Sequence, residues 1–104
     1  MIVEKRTYRI KPGSMHEFLK AYEDGGLQIQ SQTLGNLLGY FSSEVGELNT
    51  VVQLWGFDSY EERVRRRTEL SSKPEWRTFL GKAVAMVEHQ ENVLLTPTSF
   101  SPIR

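Results

Sequence analysis

The stretch "TVVQLWGF", residues 50–57, decides the fold. Its β-branched and aromatic residues, its length and its turn-rich flanks read as a strand. Successive strand side chains point to opposite faces. Val51, Gln53, Trp55 and Phe57 therefore share one face, and Val52 and Leu54 the other. An antiparallel strand with one wet face alternates apolar and polar residues. This one is apolar front and back, so both of its faces need cover.

The neighbouring segments complete a sheet. "NLLGYFSSEV" (36–45) reads as the preceding strand, joined through Gly46-Glu47-Leu48-Asn49. "IVEKRTYRI" (2–10) reads as the first strand and ends at Pro12-Gly13, a turn signal. It too is apolar on both sides, with Val3 on one face and Ile2, Tyr8 and Ile10 on the other. "ENVLL" (91–95) is a short last strand stopped by Pro97. Ser14 with Glu17 forms the pattern of a capping box. Met15, Phe18, Tyr22, Gly25, Ile29 and Thr33 then recur at three- and four-residue spacing, which predicts one helix to about residue 33. A second helix opens at Asp58-Ser59, where Glu62 repeats the box. Pro74 suits the first position of a third, whose stripe is Trp76, Leu80, Ala83 and Val87.

Strand, helix, two strands, two helices and a strand make a ferredoxin-like α+β sandwich, with helices on one face of a four-stranded antiparallel sheet. No helix is left for the second face. A second copy of the chain is the economical cover, so the expected assembly is a homodimer whose two sheets pack into a dimeric α/β barrel.

Composition narrows the function. The 104 residues fit one domain, and 38% hydrophobic with 25% charged residues reads as globular and soluble. Thirteen Lys and Arg balance thirteen Asp and Glu, which gives no pull toward nucleic acid. The absence of cysteine excludes disulfides, thiolate catalysis and zinc–cysteine sites. "MIVEKRTYRI" is neither a signal peptide nor a membrane span, so the expectation is a cytoplasmic protein that does not enter membranes.

"ERVRRRTEL" (62–70) carries three consecutive arginines. At about 100° per residue they diverge. Arg65 falls in a ladder with Glu61 and Glu69, and Arg66 pairs in spacing with Glu62, both typical of a solvent face. Arg67 lies between Tyr60, Val64 and Ser71, in the middle of the face that meets the sheet, with Arg63 at its edge. A guanidinium there needs a partner. Either Glu4 or Glu44 pairs with it internally, or it anchors an anion at the mouth of a pocket. Divergent arginines with acidic neighbours and zero net charge argue against DNA.

His16 and His89 read as solvated; "EHQE" (88–91) has metal-binding residue types but is more often plain polar surface. There is no glycine-rich phosphate loop, no HxxxH and no paired-carboxylate motif. Neither a metal nor another cofactor is expected.

Polar and aromatic groups mixed on covered sheet faces point to a lined cavity. The candidate pocket lies between the sheet and its own helices and draws on Arg6, Tyr8, Tyr40, Gln53, Trp55 and Arg67. In this reading Arg67 holds the anionic group of a small organic molecule. Trp55 and Tyr40 stack on its body, and Tyr8 and Gln53 orient it. The competing reading is a polar network that plugs a solid barrel.

"YRIKPGSMHEFLKAY", "LLGYFSSEVGELNTVVQLWGFDSYEERVRRR", "KPEWRTFL" and "ENVLLTPTSFSP" together resemble the NIPSNAP family over nearly the whole chain. The resemblance implies a single domain over residues 1–104 and a dimeric α/β barrel of ferredoxin-like protomers. Eukaryotic members of that family are described as mitochondrial or vesicle-associated adaptors. No organelle-targeting segment precedes Ile2, so that location is not expected here. Related barrels include cofactor-independent monooxygenases, haem-degrading enzymes and isomerases. Many relatives carry His where this chain has Gln53, and glutamine cannot serve as a base. The expected function is binding, or cofactor-free oxygenation or isomerisation, of a small organic molecule. The alternative is a non-enzymatic protein-interaction module.

Overall fold

A computed structural model describes all residues, Met1–Arg104. Strands β1 (Ile2–Ile10), β2 (Leu37–Ser42), β3 (Thr50–Phe57) and β4 (Val87–Leu95) form one antiparallel sheet in the order β2-β3-β1-β4. Helices α1 (Met15–Gly25), α2 (Leu27–Leu34), α3 (Tyr60–Ser71) and α4 (Pro74–Ala83) pack on one face, and a 3-10 turn at Val84–Met86 leads into β4. This is the ferredoxin-like sandwich. The two segments with apolar residues on both faces, β1 and β3, are the central pair, with Glu4 opposite Trp55 and Arg6 opposite Gln53.

The core lies between sheet and helices. Ile10, Val51, Trp55 and Phe57 from the strands meet Phe18, Tyr22, Leu34, Leu70, Trp76 and Phe79 from the helices. The opposite sheet face carries Val3, Val52, Leu54, Phe41, Val93 and Leu95 with no helix over it, and of these only Val3 is buried. Phe41 is 54% exposed and Val93 48%.

Several local expectations are corrected. The first helix is two helices, broken at Gly25-Gly26. A Cβ on Gly26 would lie 3.0 Å from a Tyr22 ring carbon and 3.1 Å from Phe79, so α4 approaches the backbone closely there and only glycine leaves room. Ser14 makes no side-chain cap. At α3 the expected box forms in part: Ser59 Oγ accepts from the Glu62 N–H at 3.1 Å, while the Glu62 carboxylate reaches back to the Asp58 N–H at 3.0 Å. β2 ends at Ser42 rather than residue 45, after a bulge between Leu37 and Gly39. β4 starts at Val87, four residues earlier than expected. Its polar "EHQ" hides no apolar face, and the backbone ladder with β1 makes it a strand instead. Val87 therefore leaves the helical stripe, and the buried residues of α4 are Trp76, Phe79 and Ala83, with Leu80 39% exposed.

Candidate functional site

A pocket of about 100 Å³ lies between the sheet and helices α1, α2 and α4. Its apolar floor is Phe18, Tyr22, Trp76 and Phe79, and its polar lining is Tyr8, Gln30, Tyr40 and Gln53. Exposed Leu80, Val84 and Gln90 form the rim. Drug-sized ligands occupy roughly 300–1,000 Å³, whereas a cavity of about 150 Å³ accepts one benzene ring. At about 100 Å³ the space is smaller than that, so a single ring fills it and extends into the mouth.

The aromatic walls hold one another in place. The Tyr22 and Tyr40 rings stack at 4.7 Å, Phe79 meets Tyr22 edge-on at 5.7 Å, and Trp76 lies 5.2 Å from Phe79. Such contacts add about 0.5–1.5 kcal/mol per pair beyond burial. The Tyr22 hydroxyl donates to Gln30 Oε1 at 2.6 Å. Trp55 Nε1 donates to Gln53 Oε1 at 2.9 Å. An indole N–H can only donate, so Gln53 must turn its oxygen to Trp55. Its amide N–H groups make no bond within the chain. The Tyr40 hydroxyl is buried with no partner either. Burial, reinforced by Tyr22 and Tyr8, pushes the Tyr40 phenol well above its usual range. Burial likewise raises Tyr22, so both are neutral hydroxyls.

Next to the pocket sits a charged cluster. The Glu4 side chain is fully buried and accepts from Arg63 Nε at 3.0 Å, Arg67 Nη2 at 2.6 Å, Asn92 Nδ2 at 2.8 Å and Arg6 Nη1 at 3.3 Å. Burial alone would raise the Glu4 carboxyl. The charge of Arg67 and the bonds from Arg63, Arg67 and Asn92 outweigh it and hold the group at about 2. Burial and the neighbouring charge of Arg6 pull Arg67 down, against the pull of Glu4. Arg6 Nε donates to the Tyr8 hydroxyl at 3.0 Å, and Tyr8 joins this cluster to the pocket.

The six sequence-selected residues thus divide. Tyr8, Tyr40 and Gln53 line the pocket. Trp55 is fully buried behind Gln53 and cannot stack on a ligand. Arg6 and Arg67 stand in the Glu4 cluster rather than in the lining. Of the two expected partners Glu4 takes Arg67, because it lies on the same inner face; Glu44 is exposed in the β2–β3 connection. Arg66 donates to Glu62 at 2.7 Å as the spacing predicted, and also to the Thr33 carbonyl at 3.2 Å. Arg65 comes within 3.9 Å of Glu62 instead of joining Glu61 and Glu69. His16 and His89 are exposed, His89 3.1 Å from Glu91.

Gln30, Phe79 and Asn92 carried no signal as site residues. Gln30 is 1% exposed and follows Tyr22 and Gly26 at four-residue spacing, on the face that α1 and α2 turn to the core. Asn92 reaches Glu4 from the neighbouring strand, a register that a single segment cannot reveal.

Comparison with known proteins bears on the whole chain. The NIPSNAP family model matches residues 3–102. A NIPSNAP family protein from Agrobacterium tumefaciens has a solved structure that superposes with a TM-score of 0.97 at 43% identity, covering 99% of this chain and 98% of that one. A NipSnap homolog of Dictyostelium discoideum is 32% identical over 90% of this chain and 41% of its own length. The chain spans 19–42% of the length of the curated relatives it matches. A solved antibiotic biosynthesis monooxygenase, 12% identical, shares the fold with a TM-score of 0.66, over 94% of this chain and 99% of its own.

Proposed function

The chain belongs to the NIPSNAP family, and on that premise we propose that it is a homodimeric small-molecule-binding domain whose ligand is a single-ring organic anion held between sheet and helices. The observation that carries this reading is the pair of free donors in an aromatic pocket: the Gln53 amide and the buried Tyr40 hydroxyl. A buried polar group without a partner costs about 1–3 kcal/mol. A ligand carbonyl or carboxylate oxygen removes that cost.

The lining also bears on chemistry. No carboxylate or imidazole lines the pocket. Its polar groups are neutral donors, which polarise a carbonyl and stabilise the oxyanion that forms from it. That is what cofactor-free oxygenation or isomerisation of a ring-bearing carbonyl compound asks of a protein. Tyr8 is the one lining hydroxyl in contact with a cation, Arg6, and is the candidate to exchange a proton with the ligand. The uncovered apolar sheet face supports the homodimer, since pairing two such faces buries what one protomer leaves wet.

Titration with benzoate, followed through tryptophan fluorescence, tests the reading, because Trp76 lines the pocket and Trp55 bonds to Gln53. Saturable quenching that weakens in Gln53→Leu is expected. A wild-type protein that does not respond overturns it.

A further inference from the structure

Arg6, Arg63 and Arg67 surround one carboxylate, so three positive charges meet one negative charge and an excess of two remains. Of the other acids on α3, Glu62 is paired with Arg65 and Arg66 and Glu69 with Lys73, while Glu61 is exposed and makes no ion pair with the cluster. Asn92, the fourth group on Glu4, is neutral. Each guanidinium spends its Nε and one terminal nitrogen on Glu4 or Tyr8, which leaves Arg6 Nη2, Arg63 Nη1 and Arg67 Nη1 unbonded. None of the three is among the buried unpaired atoms, so all reach open space. Their side chains are otherwise enclosed, at 16–19% exposure. Excess like charge in an enclosed place is costly unless an anion offsets it. Glu4 offsets only part and also fixes the direction of all three forks.

Resting on the pocket reading above, we infer that this shell is the acid subsite of the same ligand and that it takes a doubly charged group. Three guanidinium groups are brought together on Glu4 from two elements, β1 and α3, each with one terminal nitrogen to spare. A monocarboxylate would leave one positive charge unmatched. A phosphate monoester or a pair of neighbouring carboxylates matches the excess and offers enough oxygens for all three donors. The hydroxyl of Tyr8, bonded to Arg6 and lining the pocket, marks where acid head and ring body join. Glu4 is a positioning residue: it does not touch the ligand but holds the arginines that do.

Four single-ring probes test this with the full chain: benzamide, benzoate, phthalate and phenyl phosphate, each titrated by tryptophan fluorescence at low salt. Near pH 8 phenyl phosphate should bind about tenfold or more tighter than benzoate, the size of one added charge-assisted hydrogen bond. The gap should close as the pH falls below about 6, where a phosphate monoester dianion takes up one proton and becomes a monoanion. Phthalate as tight as phenyl phosphate assigns the subsite to dianions in general, and a preference for phenyl phosphate alone assigns it to phosphate. Arg63→Gln should cost phenyl phosphate about tenfold while leaving benzamide within about twofold. Arg67→Gln supplies the same comparison should the first variant fold poorly by circular dichroism. Benzoate binding as tightly as both dianions, or a pH-independent gap, or loss of benzamide and phenyl phosphate in equal measure, overturns the inference and leaves the pocket intact. Silence from all four probes removes the pocket itself.

Discussion

Replacing Glu4 by glutamine keeps the shape of the side chain and deletes its charge, so three guanidinium groups would face a neutral amide. The folded carboxyl sits at about 2 against an ordinary 4.5. At about 1.36 kcal/mol per pH unit, that difference corresponds to roughly 3 kcal/mol of stability from ionised Glu4. The direction follows from the depressed value. The contribution is complete above the unfolded pKa and is lost as the pH falls from about 4.5 toward about 2. A loss of about 3 kcal/mol lowers the Tm of a chain this size by roughly 10–20 °C. Thermal unfolding by circular dichroism at pH 7 should show that gap between wild type and Glu4→Gln. The gap should narrow as the pH is lowered through the window, because protonated Glu4 is nearly isosteric with the amide. A Tm at pH 7 within about 2 °C of wild type would mean that burial of the cluster costs as much as its pairing returns, a balance known for enclosed ion pairs. A large gap that does not change between pH 7 and pH 3 would refute the charge argument altogether.

Gly26→Ala should lower the urea midpoint by the equivalent of about 1–2 kcal/mol, because the new methyl meets Tyr22 and Phe79 at 3.0–3.1 Å. Gly25→Ala, with nothing within 4 Å, should instead stabilise by about 0.4–1 kcal/mol. Tyr40→Phe removes a buried hydroxyl that has no partner, so stability should hold or rise by up to about 1 kcal/mol while benzoate binding weakens. Leu54→Lys places a charge on the uncovered sheet face; sedimentation at micromolar concentration should find wild type as a dimer and the variant as a folded monomer. A well-folded wild-type monomer would remove the basis for the barrel.

Much of the fold was legible because its signals are local. The two-sided apolar pattern of residues 50–57 and 2–10 marked the central strands, and Ser59 with Glu62 marked the start of α3. The errors are also local in origin. Gly25-Gly26 continues a three-four stripe, yet the backbone departs from helical geometry at Gly26, with φ −113°, and the helix divides there. Strand β4 was underestimated because its exposed polar residues show no hydrophobic period, while its backbone pairing with β1 shows nothing at all in sequence. At the site, alternation placed Gln53 on the covered face correctly but could not tell that Trp55 would turn inward behind it.

From the sequence alone came the element types, the strand that is greasy on both sides and the helical position that sends Arg67 toward the sheet. All of these follow from periodicities of two and 3.6 residues within one segment. Which carboxylate meets Arg67 and where unpaired donors collect were decided only by packing. Glu4 and Arg67 are 63 residues apart, and their meeting depends on how α3 lies across β1, a placement set by the sum of contacts over the whole core.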